Sequence, residues 1–190
     1  MTPPPPSDTS NSPSVPDIAD FWRAARAQAP ELPETPPSAD HVWGLGATPE
    51  HADSLLALVL AGIKTGTAGY TEEYEAEGID FEQVGDLDVL LDSSGAPRAV
   101  IETKSVEIVP FNRVTAEHAF TEGEDDRSLA SWRRIHRTYY EQHVAPGTPF
   151  RDDMPIVCQR FRVVYPPIGG TDRHTRPHGD DAGKNTRART

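Results

Sequence analysis

Gly62-Ile63-Lys64-Thr65-Gly66-Thr67-Ala68-Gly69-Tyr70 is the stretch on which the reading of this chain turns. It follows a strong helix signal from Thr48 to about Ala61. Thr48 suits the cap, Pro49 the first turn, and Leu55, Leu56, Val59 and Leu60 face inward at helical spacing. Gly62 falls where that helix should stop, because glycine enters the left-handed conformation without a steric penalty. Lys64 and Thr67 then stand three residues apart between glycines. On a flat strand such residues point to opposite faces, so only a bend or bulge lets them converge. Gly66 and Gly69 permit that bend. The stretch therefore reads as a device presenting an ammonium and a hydroxyl to one space; the plainer alternative is a helix exit with a solvated lysine.

Working outward, the 190 residues suggest one domain with tails. Met1 to Pro16 is proline, serine and threonine with little that is apolar, and residues 167–190 are glycine, charge and polar groups. Neither end can bury enough apolar surface to offset its ordering entropy, so both are expected to be disordered, leaving a domain over residues 17–166. The formal charge is −12; residues 167–190 hold five Lys/Arg and three Asp/Glu, a balance of +2, so residues 1–166 carry −14. Nucleic-acid affinity rests on neutralising phosphates, and so acidic a domain lacks the usual basic footprint. A small nucleoside or nucleotide ligand suffers less from the global field than a long RNA, and no DNA partner is expected.

Cys158 is the single cysteine, which fits a reducing cytoplasm, and the start of the chain has neither the basic segment nor the apolar run of a signal peptide. No stretch approaches the length of a membrane-spanning helix, so no membrane partner is expected. His174 and His178 are four apart in a tail with little to hold a helix, and no paired ligand spacing occurs in the core. Neither a metal nor another cofactor is therefore expected.

The remaining elements follow from pattern. Asp17 opens a short amphipathic helix carrying Ile18, Phe21, Trp22 and Ala25, and prolines 30 to 37 end it. Trp43 is expected in a glycine-flanked loop, as a lid on the core or an aromatic wall for a stacked base. Residues 72–82 are too acidic for core and suit a loop or short helix. Val84-Gly85-Asp86 turns into a strand, Leu87 to Asp92; Ser93-Ser94-Gly95 is hairpin chemistry, and Arg98 to Val109 returns until Pro110 ends the pairing. Thr115 can cap a helix through Phe120, with Glu122 on a flexible exit. Asp126 or Ser128 opens the next helix, with Leu129, Trp132, Arg133, His136 and Tyr140 on one stripe and Pro146-Gly147 as its stop. Pro155 to Tyr165 is a strand, with Val157, Phe161, Val163 and Tyr165 on one face. Strands with helices inserted between them suit a small mixed α+β barrel.

Gly62-x-Lys64-x-x-Thr67 resembles the signature of the ASCH family, PUA-like β-barrel domains linked to RNA and modified nucleosides. The likeness extends, in order, over roughly residues 17–166: Phe21-Trp22, Trp43-Gly44-Leu45-Gly46, Ala52-Asp53-Ser54-Leu55, Val84-Gly85-Asp86, Ile108 to Phe111, Glu122-Gly123-Glu124, Arg127-Ser128-Leu129, Trp132-Arg133, His136, and Asp153 to Phe161. Many members carry arginine two residues after the threonine; here that position is Gly69, so no phosphate-gripping role carries over.

The resemblance implies a reacting set. In amidohydrolase members, a lysine, a threonine and a glutamate act on an acylated cytidine, and the matching positions are Lys64, Thr67 and, through His118-Ala119-Phe120-Thr121-Glu122, Glu122. Glu124, Asp125 and Asp126 crowd the same loop. Trp43, Gly62, Tyr70, Arg127, Trp132 and His136 are the expected substrate-binding residues. Other members bind RNA without turnover or cleave it with metal help, which leaves a short RNA as an alternative ligand. The chemistry stands beside the likeness. Amide hydrolysis needs a nucleophile, a proton acceptor and oxyanion stabilisation. Thr67 can be the first. A free lysine is only about 0.04% neutral at pH 7, so Lys64 is a base only if buried without a carboxylate. If Glu122 touches it, Glu122 becomes the base and Lys64 the cation that steadies the oxyanion.

Overall fold

A computed structural model of the chain describes residues 15–144, 147 and 149–168. Most of both expected tails, the histidines at 174 and 178, and the stop expected at Pro146 lie outside those residues. The domain is a mixed α+β fold on a five-stranded sheet curled into a half-barrel. Its strands are β1 (Val42–Gly44), β2 (Gly66–Tyr70), β3 (Leu87–Leu91), β4 (Pro97–Pro110) and β5 (Pro155–Tyr165), in the order β1-β3-β4-β5-β2. The helices are α1 (Val15–Gln28), α2 (Pro49–Leu60), α3 (Thr71–Glu77), α4 (Ala116–Glu122) and α5 (Leu129–Tyr139). None is long and apolar enough to cross a membrane.

β4 is the spine. Its first half pairs antiparallel with β3, and it pairs along most of its length with β5, which in turn pairs antiparallel with β2. Two register shifts let these long strands curl. One of them, where Val100 opposes Tyr165 and Ile101 opposes Val163, leaves Val164 over. It also breaks the expected alternation: Phe161 and Val163 pack on one side of the sheet, Val164 and Tyr165 on the other. Period-two patterning cannot survive an extra residue.

Each face of the sheet has its helix. Val89, Val100 and Val164 meet Trp22 and Ala25 of α1 and Ala29 just after it, whereas Leu90, Ala99, Ile101 and Phe161 meet Leu55, Leu56 and Val59 of α2. A third cluster joins Tyr70, Phe111, Trp132, Tyr140 and Ile156 beneath α4 and α5. Burying side chains of this size contributes about 1.5–3 kcal/mol each. Thr48 caps α2, Thr115 caps α4 and Ser128 caps α5, each hydroxyl accepting from a backbone N–H three residues on.

Three local expectations are corrected. Val15 and Pro16, assigned to the tail, begin α1. Trp43 lies on a strand, not in a loop, because β1 pairs in parallel with β3 through Trp43 and Leu90. Glu122 closes α4 instead of lying on a flexible exit, and it is 1% exposed.

Candidate active site

Lys64 owes its position to the way α2 ends. Gly62 takes φ +70°, and the N–H groups of Ile63 and Lys64 both donate to the Leu58 carbonyl. The next residue is pinned on both sides: Thr65 N–H donates to the Thr121 carbonyl, and Phe161 N–H donates to that of Thr65. Lys64 thus precedes β2 in a bend, while Thr67 lies within the strand. Gly123, at φ +77°, brings α4 against this bend. A Cβ there would lie 2.9 Å from Ile63 Cγ2 and 3.0 Å from the Ile63 carbonyl oxygen. Only glycine suits both the conformation and the approach.

The two pinned elements deliver a buried ion pair. Lys64 Nζ donates to Glu122 Oε2 at 2.7 Å and to Glu124 Oε1 at 3.2 Å. Lys64 and Glu122 are each only 1% exposed. The other Glu122 oxygen, Oε1, accepts from Trp132 Nε1 at 2.7 Å and lies 3.2 Å from His118 Nε2 and 3.4 Å from His136 Nε2. The His136 ring stacks on Trp132, centroids 4.1 Å apart, with Nδ1 3.0 Å from the Trp132 carbonyl.

Electrostatics follow from those contacts. Burial acts to lower the pKa of Lys64, but Glu122 and then Glu124 outweigh it and hold it above its ordinary value. Burial acts to raise the pKa of Glu122, but the charges of Lys64 and then His136, with hydrogen bonds from His118 and His136, hold it well below the usual glutamate range. The pair is therefore ammonium and carboxylate.

A small cavity of about 80 Å³ opens beside the pair, with Thr67, Ala68, Glu122, Glu124 and His136 among its lining. Lys64 is covered by the two glutamates. Thr67, Ala68, Leu45, Gly46 and Tyr139 also line a second cavity of about 880 Å³, so Thr67 stands where the two join. Among the described residues, no three His, Cys, Asp or Glu side chains are grouped to hold a metal ion.

Thr67, Glu122 and His136 line the small cavity, Lys64 and Trp132 are held to Glu122 behind it, and Trp43 lines the larger cavity. The other binding expectations fall elsewhere. Gly62 faces Ile168. Tyr70 is 1% exposed in the core, its hydroxyl donating to the His136 carbonyl. Arg127 lies 3.7 Å over the Phe120 ring and donates to the Phe120 carbonyl, pairing with neither Asp125 nor Asp126. Trp132 is buried, and its indole N–H is taken by Glu122, so it orients the carboxylate instead of offering a face to a base.

The ASCH domain family model matches residues 41–165, a span that includes Lys64, Thr67 and Glu122. The chain belongs to the ASCH domain family. A crystal structure of an Enterococcus faecalis protein is 29% identical, with TM-score 0.68, over 86% of this chain and 99% of that one. The ASCH domain of a Lactobacillus crispatus strain is 27% identical, with TM-score 0.66, over 78% and 94%. No curated protein matches the chain.

Sequence reasoning about this ASCH domain passed over two roles. His118 was visible as a helical i,i+4 partner of Glu122, but its ring was not assigned to that carboxylate. Glu124 was set aside as a crowding loop acid, yet it holds Lys64 and lines the small cavity.

Proposed function

We propose that this ASCH domain hydrolyses the acyl amide of a modified nucleoside held in the joined cavities. The observation that supports this reading is one small space lined by a hydroxyl and two carboxylates, with a buried ammonium bonded to both carboxylates. Glu122 is too strongly stabilised as an anion to be a good proton acceptor, because basicity falls with pKa. It serves instead to keep Lys64 charged and aimed. Glu124, held by Lys64 and lining the cavity, takes the role of base.

In this reading Thr67 Oγ attacks the acyl carbon as its proton passes to Glu124. An ammonium has three N–H groups, and Lys64 gives two to the glutamates that cover it, so its third N–H serves the oxyanion once Glu124 turns aside to the Thr67 hydroxyl. Collapse of the adduct breaks the C–N bond, and the amine leaves with the proton from Glu124. One water then cleaves the acyl-threonine ester, restoring Thr67 and releasing the carboxylic acid.

The test is to incubate wild type, Thr67→Ala and Glu124→Gln with a panel of N-acylated nucleosides and with single-stranded RNA, reading products by mass spectrometry. Wild type should deacylate at least one nucleoside, and each variant should be slower by about a hundredfold or more. Deacylation by Thr67→Ala at the wild-type rate refutes the mechanism. Absence of any deacylation, with RNA bound or cleaved, refutes the function.

A further inference from the structure

The larger cavity has a chemistry of its own. Seven of its lining residues are Asp or Glu and none is Lys or Arg. Three of these acids accept hydrogen bonds from within the fold. Glu82 accepts from the Tyr74 hydroxyl; Glu73 accepts from the Tyr139 hydroxyl and the Tyr70 N–H; Asp86 accepts from the Gln83 N–H. Asp88 differs. It is 1% exposed on β3, and its Oδ1 accepts from Trp43 Nε1 at 3.2 Å and faces His41 Nδ1 at 2.9 Å. Its Oδ2 is buried with no hydrogen-bond partner among the described residues. A buried carboxylate oxygen left unpaired is costly and calls for an explanation. Trp43, Tyr74 and Tyr139, in the same lining, supply aromatic faces that favour cations.

We infer that this cavity is a recognition subsite for an organic cation bearing N–H groups, a protonated amine or amidinium that donates to Asp88 Oδ2, and that its acids reject phosphorylated ligands. The inference rests on the reading that the joined cavities hold the nucleoside. It narrows the substrate class to nucleosides that are unphosphorylated and carry a cationic group. A phosphate entering the cavity would meet seven acids and no Lys or Arg, and its one basic lining residue, His41, is already paired with Asp88, so nucleotides and RNA are disfavoured by the same residues that hold the amine.

The experiment uses three ligands with no scissile amide, so that binding is read apart from turnover: 5′-amino-5′-deoxycytidine, cytidine and cytidine 5′-monophosphate. Affinities are measured by calorimetry at fixed ionic strength, and the Trp43 indole N–H is followed by NMR. The amine should bind about tenfold more tightly than cytidine, the scale of a hydrogen bond to a charged group, and the monophosphate more weakly than either. The Trp43 resonance should move on adding the amine. Asp88→Asn should bring the amine to within about threefold of cytidine, whereas Glu31→Gln, an exposed acid outside the cavity, should leave the preference intact. The inference is overturned if the monophosphate binds as well as the amine, if none of the three binds, or if Asp88→Asn keeps the preference. It also fails if the amine binds while Trp43 stays still. Should Asp88→Asn not fold, the wild-type ranking and the Trp43 resonance decide. Selectivity without deacylation leaves the subsite standing and removes the hydrolase; deacylation without selectivity does the reverse.

Discussion

Replacing Glu122 with glutamine changes one oxygen to an amide, yet it should destabilise the domain heavily. The wild-type carboxylate accepts on both sides: Lys64 at Oε2, and Trp132 at Oε1 with His118 and His136 close by. A glutamine has one carbonyl oxygen, so whichever way it turns, its NH2 faces a buried donor. The Lys64 ammonium, 1% exposed, also loses the nearer of its two carboxylates. Breaking a buried pair by removing one partner costs about 3–5 kcal/mol. For a domain of this size that is roughly 4 °C per kcal/mol, or a fall of about 12–20 °C in Tm.

The pH dependence carries a definite sign. Glu122 is held well below its ordinary value of 4.5, so its contribution is present above that pH and is lost as pH falls through the lower folded value. Lys64 is held above 10.5, so its contribution is full below that pH and is lost as pH rises through the higher folded value. The deficit of Glu122→Gln should therefore be greatest between these limits and shrink in acid. Urea denaturation of wild type, Glu122→Gln, Lys64→Met and the double variant closes the cycle. Lys64→Met removes the stranded ammonium, so the double variant should be more stable than the sum of single losses by about 2 kcal/mol. Losses that add to within about 0.5 kcal/mol, or a loss below about 1 kcal/mol for Glu122→Gln, would refute the argument.

Two further outcomes are expected. Gly123→Ala places a methyl group against the Ile63 backbone at a positive φ, so urea denaturation should show a loss of roughly 2–4 kcal/mol; a change below about 0.5 kcal/mol contradicts the packing described. Cys158 is buried, and burial, with lesser contributions from Glu122 and Glu107, pushes its thiol up to about 12. The native protein at pH 8 should resist iodoacetamide and take up one label only in denaturant, and rapid native labelling would show the thiol to be accessible.

Much of this molecule was legible because local rules decide it. The caps at Thr48, Thr115 and Ser128, the stop at Gly62, and the strands leading to Pro110 and ending near Tyr165 follow from propensity, patterning and turn chemistry acting over a few residues. The grouping of Lys64, Thr67 and Glu122 was approached through the likeness to a family, because no local rule joins residues 58 apart in sequence. Tertiary structure decided the rest. The close approach of Gly123 to Ile63 makes Glu122 a buried helix end, and four side chains then converge on its two oxygens. That crowding lowers its basicity, which spacing alone could not reveal. The parallel pairing of β1 with β3 turned Trp43 from a loop residue into a donor to Asp88. Asp88 passed in the sequence as one residue of the strand Leu87 to Asp92, and its free oxygen beside a cavity exists only once β1, β3 and the loop before β3 enclose it. Desolvation and hydrogen-bond satisfaction depend on what surrounds a group from every side, and a sequence specifies that surrounding only through the fold.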